Sequence, residues 1–153
     1  MGGFYTSTAR PEDIAVAHAI HQQVVPTPWR VDTFTDSTTS PYWLRILWQD
    51  QRLIGYAIIL MVVDEATLID VGVHQEARGQ GAGRYLLNDV MACCQQRQMA
   101  SLWLEVRASN QVARSLYETR GFKTQEIRKG YYPAAKPDVQ AEDAFIMSYT
   151  FSA

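Results

Sequence analysis

A carboxylate, a phenol and a glycine-rich turn lie close together in the second half of this sequence. The carboxylate is Glu105, within Trp103-Leu-Glu-Val-Arg-Ala-Ser-Asn110, and the phenol is Tyr117. The turn that precedes both is Arg78-Gly-Gln-Gly-Ala-Gly83. All three fall within roughly the length of one βαβ unit. This combination favours transfer of an acyl group from a nucleotide-bearing cofactor.

The glycine-rich turn lies between a predicted strand and a predicted amphipathic helix. Exposed backbone N–H groups and the helix dipole favour a phosphate at such a place, and glycines let the backbone approach a ligand closely. The turn is not a Walker A loop, because no Gly-Lys-Ser/Thr follows. It is not the dinucleotide fingerprint either, because Arg84 stands where the third glycine is needed. A tight strand-to-helix turn without a ligand is the alternative interpretation.

Three further residues each allow two interpretations. Glu105 shares one strand face with Trp103 and Arg107, opposite Leu102, Leu104 and Val106. It is either an ion-pair partner of Arg107 or a general base whose pKa is raised by partial burial. Tyr117 is a core aromatic unless a cofactor lies nearby. Gly72, inside a strand, either lets a ligand arm pair with the backbone or makes room for a neighbouring side chain.

The elements that must position these groups predict an α+β fold, with a mixed, mostly antiparallel sheet, a central parallel βαβ unit and flanking helices. Predicted strands run over Phe4 to Ala9, Trp43 to Gln49, Leu53 to Val63, Ala66 to Val73, Ser101 to Val106, Phe122 to Arg128 and Ala144 to Phe151. Helices are predicted to begin at Pro11, after Gly83 and after an Asn110 cap, with a short helix and loop over Val31 to Ser40. Tyr131-Tyr132-Pro133 is predicted to lie in a loop.

Composition narrows the class of protein. The 153 residues predict a single domain over 1–153, and the net charge of -2 argues against direct nucleic-acid binding. Cys93 and Cys94 are adjacent and predicted to pack, which suits neither a disulfide framework nor a zinc site. His18 and His21 are interpreted as surface or partly buried helix residues and His74 as a loop residue, without a matching metal-ligand set. The cysteine pattern favours a reducing, cytoplasmic location. No apolar run is long enough for a membrane span, so a soluble chain is expected.

The sequence also resembles a known family. Arg78-x-x-Gly81-x-Gly83 resembles the acetyl-CoA loop of the GCN5-related N-acetyltransferases, the GNAT superfamily. Nearly the whole chain is similar to the RimI-like subgroup, which acetylates the N-terminal alanine of a small-subunit ribosomal protein. The segments that carry this similarity are Pro28-Trp29, Thr33-Phe34, Asp64-Glu-Ala-Thr-Leu68, Leu102-Trp-Leu-Glu-Val-Arg-Ala-Ser-Asn110, Leu116-Tyr-Glu118, Gly121-Phe122 and Tyr131-Tyr-Pro133. The resemblance implies the GNAT fold, acetyl-CoA as cosubstrate, no metal, and a ribosomal-protein peptide as acceptor.

Site residues follow from the same resemblance. It implies that Glu105 is the general base and Tyr117 the general acid. The implied cofactor-binding residues are Val71, Gly72, Val73, Arg78, Gly79, Gln80, Gly81, Ala82, Gly83, Arg84 and Asn110. The implied acceptor-binding residues are Trp29, Tyr131 and Tyr132, although the segment from Ala134 to Glu142 departs from the subgroup pattern. The alternatives are other protein N-termini, lysine or small-amine acceptors, or a non-catalytic acetyl-CoA-binding module.

Overall fold

A seven-stranded sheet organises the chain in a computed structural model that describes residues 3–134 and 140–152. Its strands are β1 (Phe4–Thr8), β2 (Tyr42–Gln49), β3 (Arg52–Val62), β4 (Glu65–Val73), β5 (Ser101–Arg107), β6 (Lys123–Tyr132) and β7 (Glu142–Thr150). The strand order is β1-β2-β3-β4-β5-β7-β6. Only β4 and β5 pair in parallel, and all the other neighbours are antiparallel. The predicted α+β class and the parallel βαβ unit are therefore confirmed.

Helices cover both faces of this sheet. They are α1 (Ile14–Val24), α2 (Val31–Asp36), α3 (Ala82–Gln96) and α4 (Gln111–Thr119), with short 3-10 turns at Pro11–Asp13 and Gln75–Ala77. Ala17 and Ile20 of α1 and Phe34 of α2 pack with strand residues on one face, the α1/α2 face. The apolar side of α3 and Tyr117 of α4 pack on the other, the α3/α4 face. None of the helices within the described ranges is both long and apolar enough to cross a bilayer.

Local sequence signals explain where the helices lie. The side chains predicted for one face of α3, which are Leu86, Leu87, Val90, Met91 and Cys94, are all buried. Asn110 caps α4, because its side-chain oxygen accepts a hydrogen bond of 3.2 Å from the Ala113 N–H. Gly121 follows α4 with φ of 97°, a conformation that a side chain disfavours. These predicted signals are confirmed.

One boundary prediction is wrong. Tyr131 and Tyr132 lie at the end of β6 rather than in a loop, and Tyr132 is opposite Glu142 of β7. β6 is the edge strand, and nearly all of its side chains are exposed. Its sequence therefore lacks the alternation of apolar and polar residues from which the full length of a strand can be predicted. Most of the divergent segment from Ala134 to Glu142 lies outside the described residues.

The sheet opens at its centre. The parallel pairing of β4 and β5 begins at Glu65 opposite Ser101 and ends at Leu68 opposite Leu104. Just beyond this point, β4 contains Ile69 as an extra residue relative to β3, a β-bulge that bends the strand. The rest of β4 continues along β3, whereas the rest of β5 continues along β7. The result is a gap between two strands whose inner edges no longer pair with each other.

Candidate active site

The β4 side of the gap is formed by Val71, Gly72 and Val73. Each is paired with β3, and within the described chain their β5-facing edge has no strand partner. A Cβ added to Gly72 would lie 2.6 Å from Cε1 of Tyr56, a fully buried ring on β3. The structure thus confirms that this glycine makes room for a neighbouring side chain. An open backbone edge remains beside it, where an extended ligand can form hydrogen bonds.

The glycine-rich turn forms the start of α3. Gly79 and Gly81 have φ of 77° and 84°, and a Cβ at either position would meet no atom within 4 Å. The glycines are thus required by backbone conformation rather than by crowding. Gly81 is the N-cap of α3, and neither a capping side chain nor an acidic residue occupies the first turn. The free N–H groups and the helix dipole make this end of α3 suited to an anion.

A cavity of about 520 Å³ lies between this turn and α4. On the turn side it is lined by Val73, Arg78, Gly79, Gly81, Ala82, Gly83 and Arg84. Four predicted cofactor-binding residues, Val71, Gly72, Gln80 and Asn110, do not line it. Val71 and Gly72 lie instead at the open edge of β4. Gln80 bonds through its side chain to Gln49 and to the Glu76 carbonyl, and Asn110 caps α4.

The opposite wall of the cavity was not predicted. It consists of Val112, Ser115, Leu116 and Thr119, which recur at the spacing of one helix face. Val112 is 84% exposed although it is apolar. Val112, one turn before Leu116 and on a helix face shared with the polar Ser115 and Thr119, was the signal in the sequence that could have identified this wall.

Glu105 lies on β5, one residue beyond the end of the parallel pairing. Leu102, Leu104 and Val106 are buried in the α3/α4 core, so Glu105 faces the other side, as predicted. Its side chain is exposed, and the expected partial burial is therefore wrong. The expected ion pair with Arg107 is also not formed, because Arg107 pairs with Glu142 at 3.3 Å. Instead, the Tyr132 hydroxyl donates a hydrogen bond of 2.7 Å to Oε2 of Glu105.

The two tyrosines at the end of β6 lie next to this carboxylate. Their rings are 5.3 Å apart and nearly perpendicular, and the Arg107 guanidinium lies 4.0 Å from the Tyr132 ring centroid. Partial burial, together with the bonded Glu105 carboxylate, raises the pKa of Tyr132 above its usual value. Tyr132 therefore stays a hydrogen-bond donor across the neutral pH range. Tyr131 is 46% exposed.

Tyr117 projects from α4 into the α3/α4 core. It is 7% exposed, and its ring centroid lies 5.6 Å from that of Phe122. Burial and, after it, the negative charge of Asp70 raise the pKa of the phenol to about 12. The structure thus confirms a core aromatic, and the role of Tyr117 as proton donor stays a prediction.

A buried polar network on the α1/α2 face was not predicted. His21 of α1 is 1% exposed and His18 is 8% exposed, so their interpretation as surface or partly buried residues is wrong. The Nε2 atom of each ring bonds to the backbone of Trp29. The Trp29 N–H donates to Nε2 of His21 at 2.8 Å, and its carbonyl accepts from His18 at 2.7 Å. These bonds fold the segment before α2 over α1 and fix the predicted acceptor-binding residue Trp29.

The same network continues to β4. Asp70 accepts a hydrogen bond of 2.7 Å from Nδ1 of His21 and another of 2.6 Å from the Tyr56 hydroxyl. Burial and the neighbouring Asp70 carboxylate hold the pKa of Tyr56 well above its usual value. Asp70, Tyr56 and His21 are each on a different element, and no sequence motif joins them.

The two cysteines have no part in this site. Cys93 and Cys94 are buried on α3, which confirms that they pack. Burial raises the pKa of their thiols to about 11 and about 12. Both therefore stay protonated and weakly nucleophilic at neutral pH.

The sheet and the site together define a class of transferase in which an anion-binding turn and a carboxylate meet at one gap. The model of the acetyltransferase (GNAT) family matches residues 12–122. The chain belongs to the acetyltransferase (GNAT) family.

Curated relatives match nearly the whole chain. A [ribosomal protein bS18]-alanine N-acetyltransferase of Escherichia coli (strain K12) is 38% identical over 146 residues, which is 95% of this chain and 97% of that protein. A Haemophilus influenzae protein of the same name is 37% identical over 136 residues, which is 89% of this chain and 91% of that protein.

Solved structures share the fold. The crystal structure of the ribosomal-protein-S18-alanine N-acetyltransferase from Escherichia coli has a TM-score of 0.90 at 37% identity, covering 99% of this chain and 96% of that one. Arabidopsis thaliana Naa50, solved with a bisubstrate analogue, has a TM-score of 0.82 at 19% identity, covering 96% of this chain and 99% of that one. The predicted GNAT fold is therefore confirmed.

Proposed function

We propose that this chain is an acetyl-CoA-dependent N-α-acetyltransferase that acts on the N-terminal alanine of the small-subunit ribosomal protein bS18. The observation that carries the proposal is the gap between β4 and β5. An anion-binding turn lies at one side of it, and a carboxylate bonded to Tyr132 lies at the other. The names of the Escherichia coli and Haemophilus influenzae relatives, matched over most of their length, support the choice of acceptor.

The residues on the α3/α4 face fit the cofactor. When bound, acetyl-CoA supplies the acetyl group as a thioester. The N-terminal N–H groups of α3, with Arg78 and Arg84, would hold the pyrophosphate. Val112 and Leu116 of α4 would contact the arm, and the open edge of Val71 to Val73 would pair with it. Gln80 and Asn110 remain proposed cofactor contacts.

Glu105 is the proposed general base. An α-amine has a pKa of about 7.7 to 8.0, so its deprotonation near pH 7 costs roughly 1 kcal/mol, against about 4.6 kcal/mol for lysine. Glu105 accepts that proton, directly or through one water, while the Tyr132 hydroxyl holds one of its oxygens. The neutral amine then attacks the thioester carbon directly. Backbone N–H groups along Val71 to Val73 stabilise the negative charge that develops on the carbonyl oxygen.

Tyr117 is the proposed proton donor to the leaving sulfur. Its pKa of about 12 keeps the phenol protonated at neutral pH, so the proton is always available. A thiol has a pKa of about 8.5, which makes complete transfer from such a phenol uphill. Tyr117 therefore acts mainly by donating a hydrogen bond as negative charge builds on the sulfur.

The acceptor peptide is proposed to bind on the α1/α2 face, between Trp29 and the tyrosines of β6. Trp29 is held by two histidines, and Tyr131 presents an exposed ring. Aromatic rings on both sides favour a peptide over a small amine. We place the protein in the cytoplasm as one acetyltransferase domain over residues 1–153. Its two unbridged cysteines suit a reducing compartment.

The test is release of coenzyme A with acetyl-CoA and three matched peptides. One begins with the free N-terminal alanine of bS18, one has the same sequence with a blocked N-terminus and a lysine, and one is scrambled after the alanine. Release with the first peptide alone is the expected result. Release with the lysine peptide would contradict the proposal that the acceptor is an N-terminal α-amine. Equal release with the scrambled peptide would mean that the enzyme acts on a broader set of N-termini than that of bS18. Acetyl-CoA binding without release on any peptide would favour a binding module.

A further inference from the structure

We infer that Asp70 binds the α-amino group of the acceptor, as a second carboxylate at the gap beside Glu105. This inference rests on the proposed function, because it concerns the acceptor of the same site. It assigns separate tasks to the two acids. Asp70 holds the amine in place, and Glu105 removes its proton.

The positions of the two carboxylates in the sheet are the first argument. Asp70 directly follows the extra residue Ile69, two residues beyond the last β4–β5 pair, and Glu105 lies one residue beyond that pair. Asp70 contacts α1, and Glu105 points away from the α3/α4 core. Both side chains are thus on the α1/α2 face, on the two strands that border the gap. An amine at the gap lies between them.

The hydrogen bonds of Asp70 are the second argument. His21 and Tyr56 both donate to Oδ2, and no donor within residues 3–134 and 140–152 reaches Oδ1. The side chain is 18% exposed. A carboxylate can accept about four hydrogen bonds, so the remaining oxygen has capacity for a ligand. The two donors fix the direction in which that oxygen points.

The charge of Asp70 is the third argument. Nε2 of His21 accepts from the Trp29 N–H, so the histidine proton is on Nδ1 and the ring is neutral in this arrangement. Among the described residues, no lysine or arginine forms an ion pair with Asp70. A half-buried carboxylate without a cation is costly, and an incoming ammonium group supplies the missing charge. His21 and Tyr56 are therefore positioning residues, and Asp70 contacts the substrate.

The test compares two peptides that differ only in the amine. One begins with the free N-terminal alanine of bS18, and in the other a propanoyl group replaces that alanine, which removes the nitrogen and its charge. Both are titrated calorimetrically into the protein with coenzyme A in place of acetyl-CoA, so that no transfer occurs. The variant is Asp70→Asn, which keeps the shape and removes the charge, and the control is Asp64→Asn in the exposed turn before β4.

We expect the wild type to bind the free-amine peptide at least about 10-fold more tightly than the propanoyl peptide. A charge-assisted hydrogen bond between the ammonium group and Asp70 accounts for a difference of this size. In Asp70→Asn the preference should fall to about 2-fold or less, and in Asp64→Asn it should be retained. Tyr56→Phe, which leaves Asp70 in place with one donor fewer, should retain an intermediate preference. This variant provides the test if Asp70→Asn does not fold.

Three results would overturn the inference. If Asp70→Asn weakens both peptides equally, the residue has a structural role only. If the preference is unchanged in Asp70→Asn, another group binds the amine. If the wild type shows no preference but still releases coenzyme A with the alanine peptide, the inference fails while the proposed function stands. Failure of both assays with the wild type overturns the proposed acceptor as well.

Discussion

The two faces of the sheet present polar groups to the gap in different ways. On the α3/α4 face the cavity is bordered by the main chain of the turn before α3 and by Val112, Ser115, Leu116 and Thr119 of α4. On the α1/α2 face the polar groups are side chains, in the network of His21, Tyr56 and Asp70 and in the pair of Glu105 and Tyr132. Main-chain N–H groups are present in any sequence that adopts this backbone. The polar side chains of the α1/α2 face are present only if the sequence has those residues at those positions. The first face therefore depends on conformation and the second on residue identity.

The largest effect is expected at Glu105, where a substitution should slow the chemical step without weakening cofactor binding. We expect Glu105→Gln to lower kcat by about 1,000-fold, because general-base catalysis typically contributes 100- to 10,000-fold. The affinity for acetyl-CoA should change by less than about 2-fold, since Glu105 is on the opposite face from the cavity. The loss should become smaller at high pH, where the α-amine is already neutral. A rate deficit that is constant from pH 6 to 10 would remove Glu105 from the role of base.

Tyr117 is a side chain of the α3/α4 face for which a catalytic role is proposed. Tyr117→Phe keeps the buried ring and should lower kcat by about 100-fold, if donation to the leaving sulfur has its usual value. The KM for the peptide should be unaffected, because the phenol lies on the α3/α4 side. Steady-state kinetics with both substrates varied provide the measurement. Wild-type turnover in this variant would mean that Tyr117 is only a core aromatic.

Gly81 tests whether the α3/α4 face depends on conformation. Gly81→Ala adds a methyl group that meets no neighbour, yet its φ of 84° disfavours any side chain. We expect about 1–2 kcal/mol of strain and a roughly 10-fold weaker affinity for acetyl-CoA as the turn relaxes. Gly83→Ala, in the helix and 3.8 Å from Leu116, is the matched control for stability and should not be destabilised. Chemical denaturation compares the stability of the two variants, and calorimetry measures the acetyl-CoA affinity of Gly81→Ala. Equal loss of stability in both variants would contradict the distinction.

Tyr132 should give the smallest effect. Tyr132→Phe removes one hydrogen bond to Glu105 but keeps the ring beside Arg107, so kcat should fall by about 5-fold to 10-fold. Tyr131→Phe is the control and should stay within about 2-fold, because its hydroxyl makes no contact with Glu105 in the described structure. If the two variants behave alike, the bond between Tyr132 and Glu105 has no catalytic value.

The contrast between the faces also explains what the sequence could predict. The strand order around the βαβ unit, the buried side of α3 and the Asn110 cap follow from periodicity and local capping signals. The glycine turn could be recognised because its conformation requires glycine at fixed positions. Glu105 could be placed on its strand face by simple alternation. All of these depend on residues that are close together in the chain.

The rest could not be predicted, because it depends on contacts between distant parts of the chain. His21 and Asp70 are separated by 49 positions, and His21 and Tyr56 by 35. Glu105 and Tyr132 are 27 positions apart, on strands that β7 separates. Burial of a histidine depends on which backbone groups reach its nitrogens, and helix periodicity does not specify this.

The exposed edge of the sheet has a consequence for the behaviour of the protein at high concentration. β6 is the last strand, and its outer N–H and C=O groups form a row that another molecule could extend. The strand carries Lys123, Glu126, Arg128 and Lys129, and its register along β7 shifts twice. Charge repulsion and an irregular edge both hinder addition of a further strand. The exposed, charged side chains that hid the length of β6 from sequence inspection thus also limit aggregation into extended sheets.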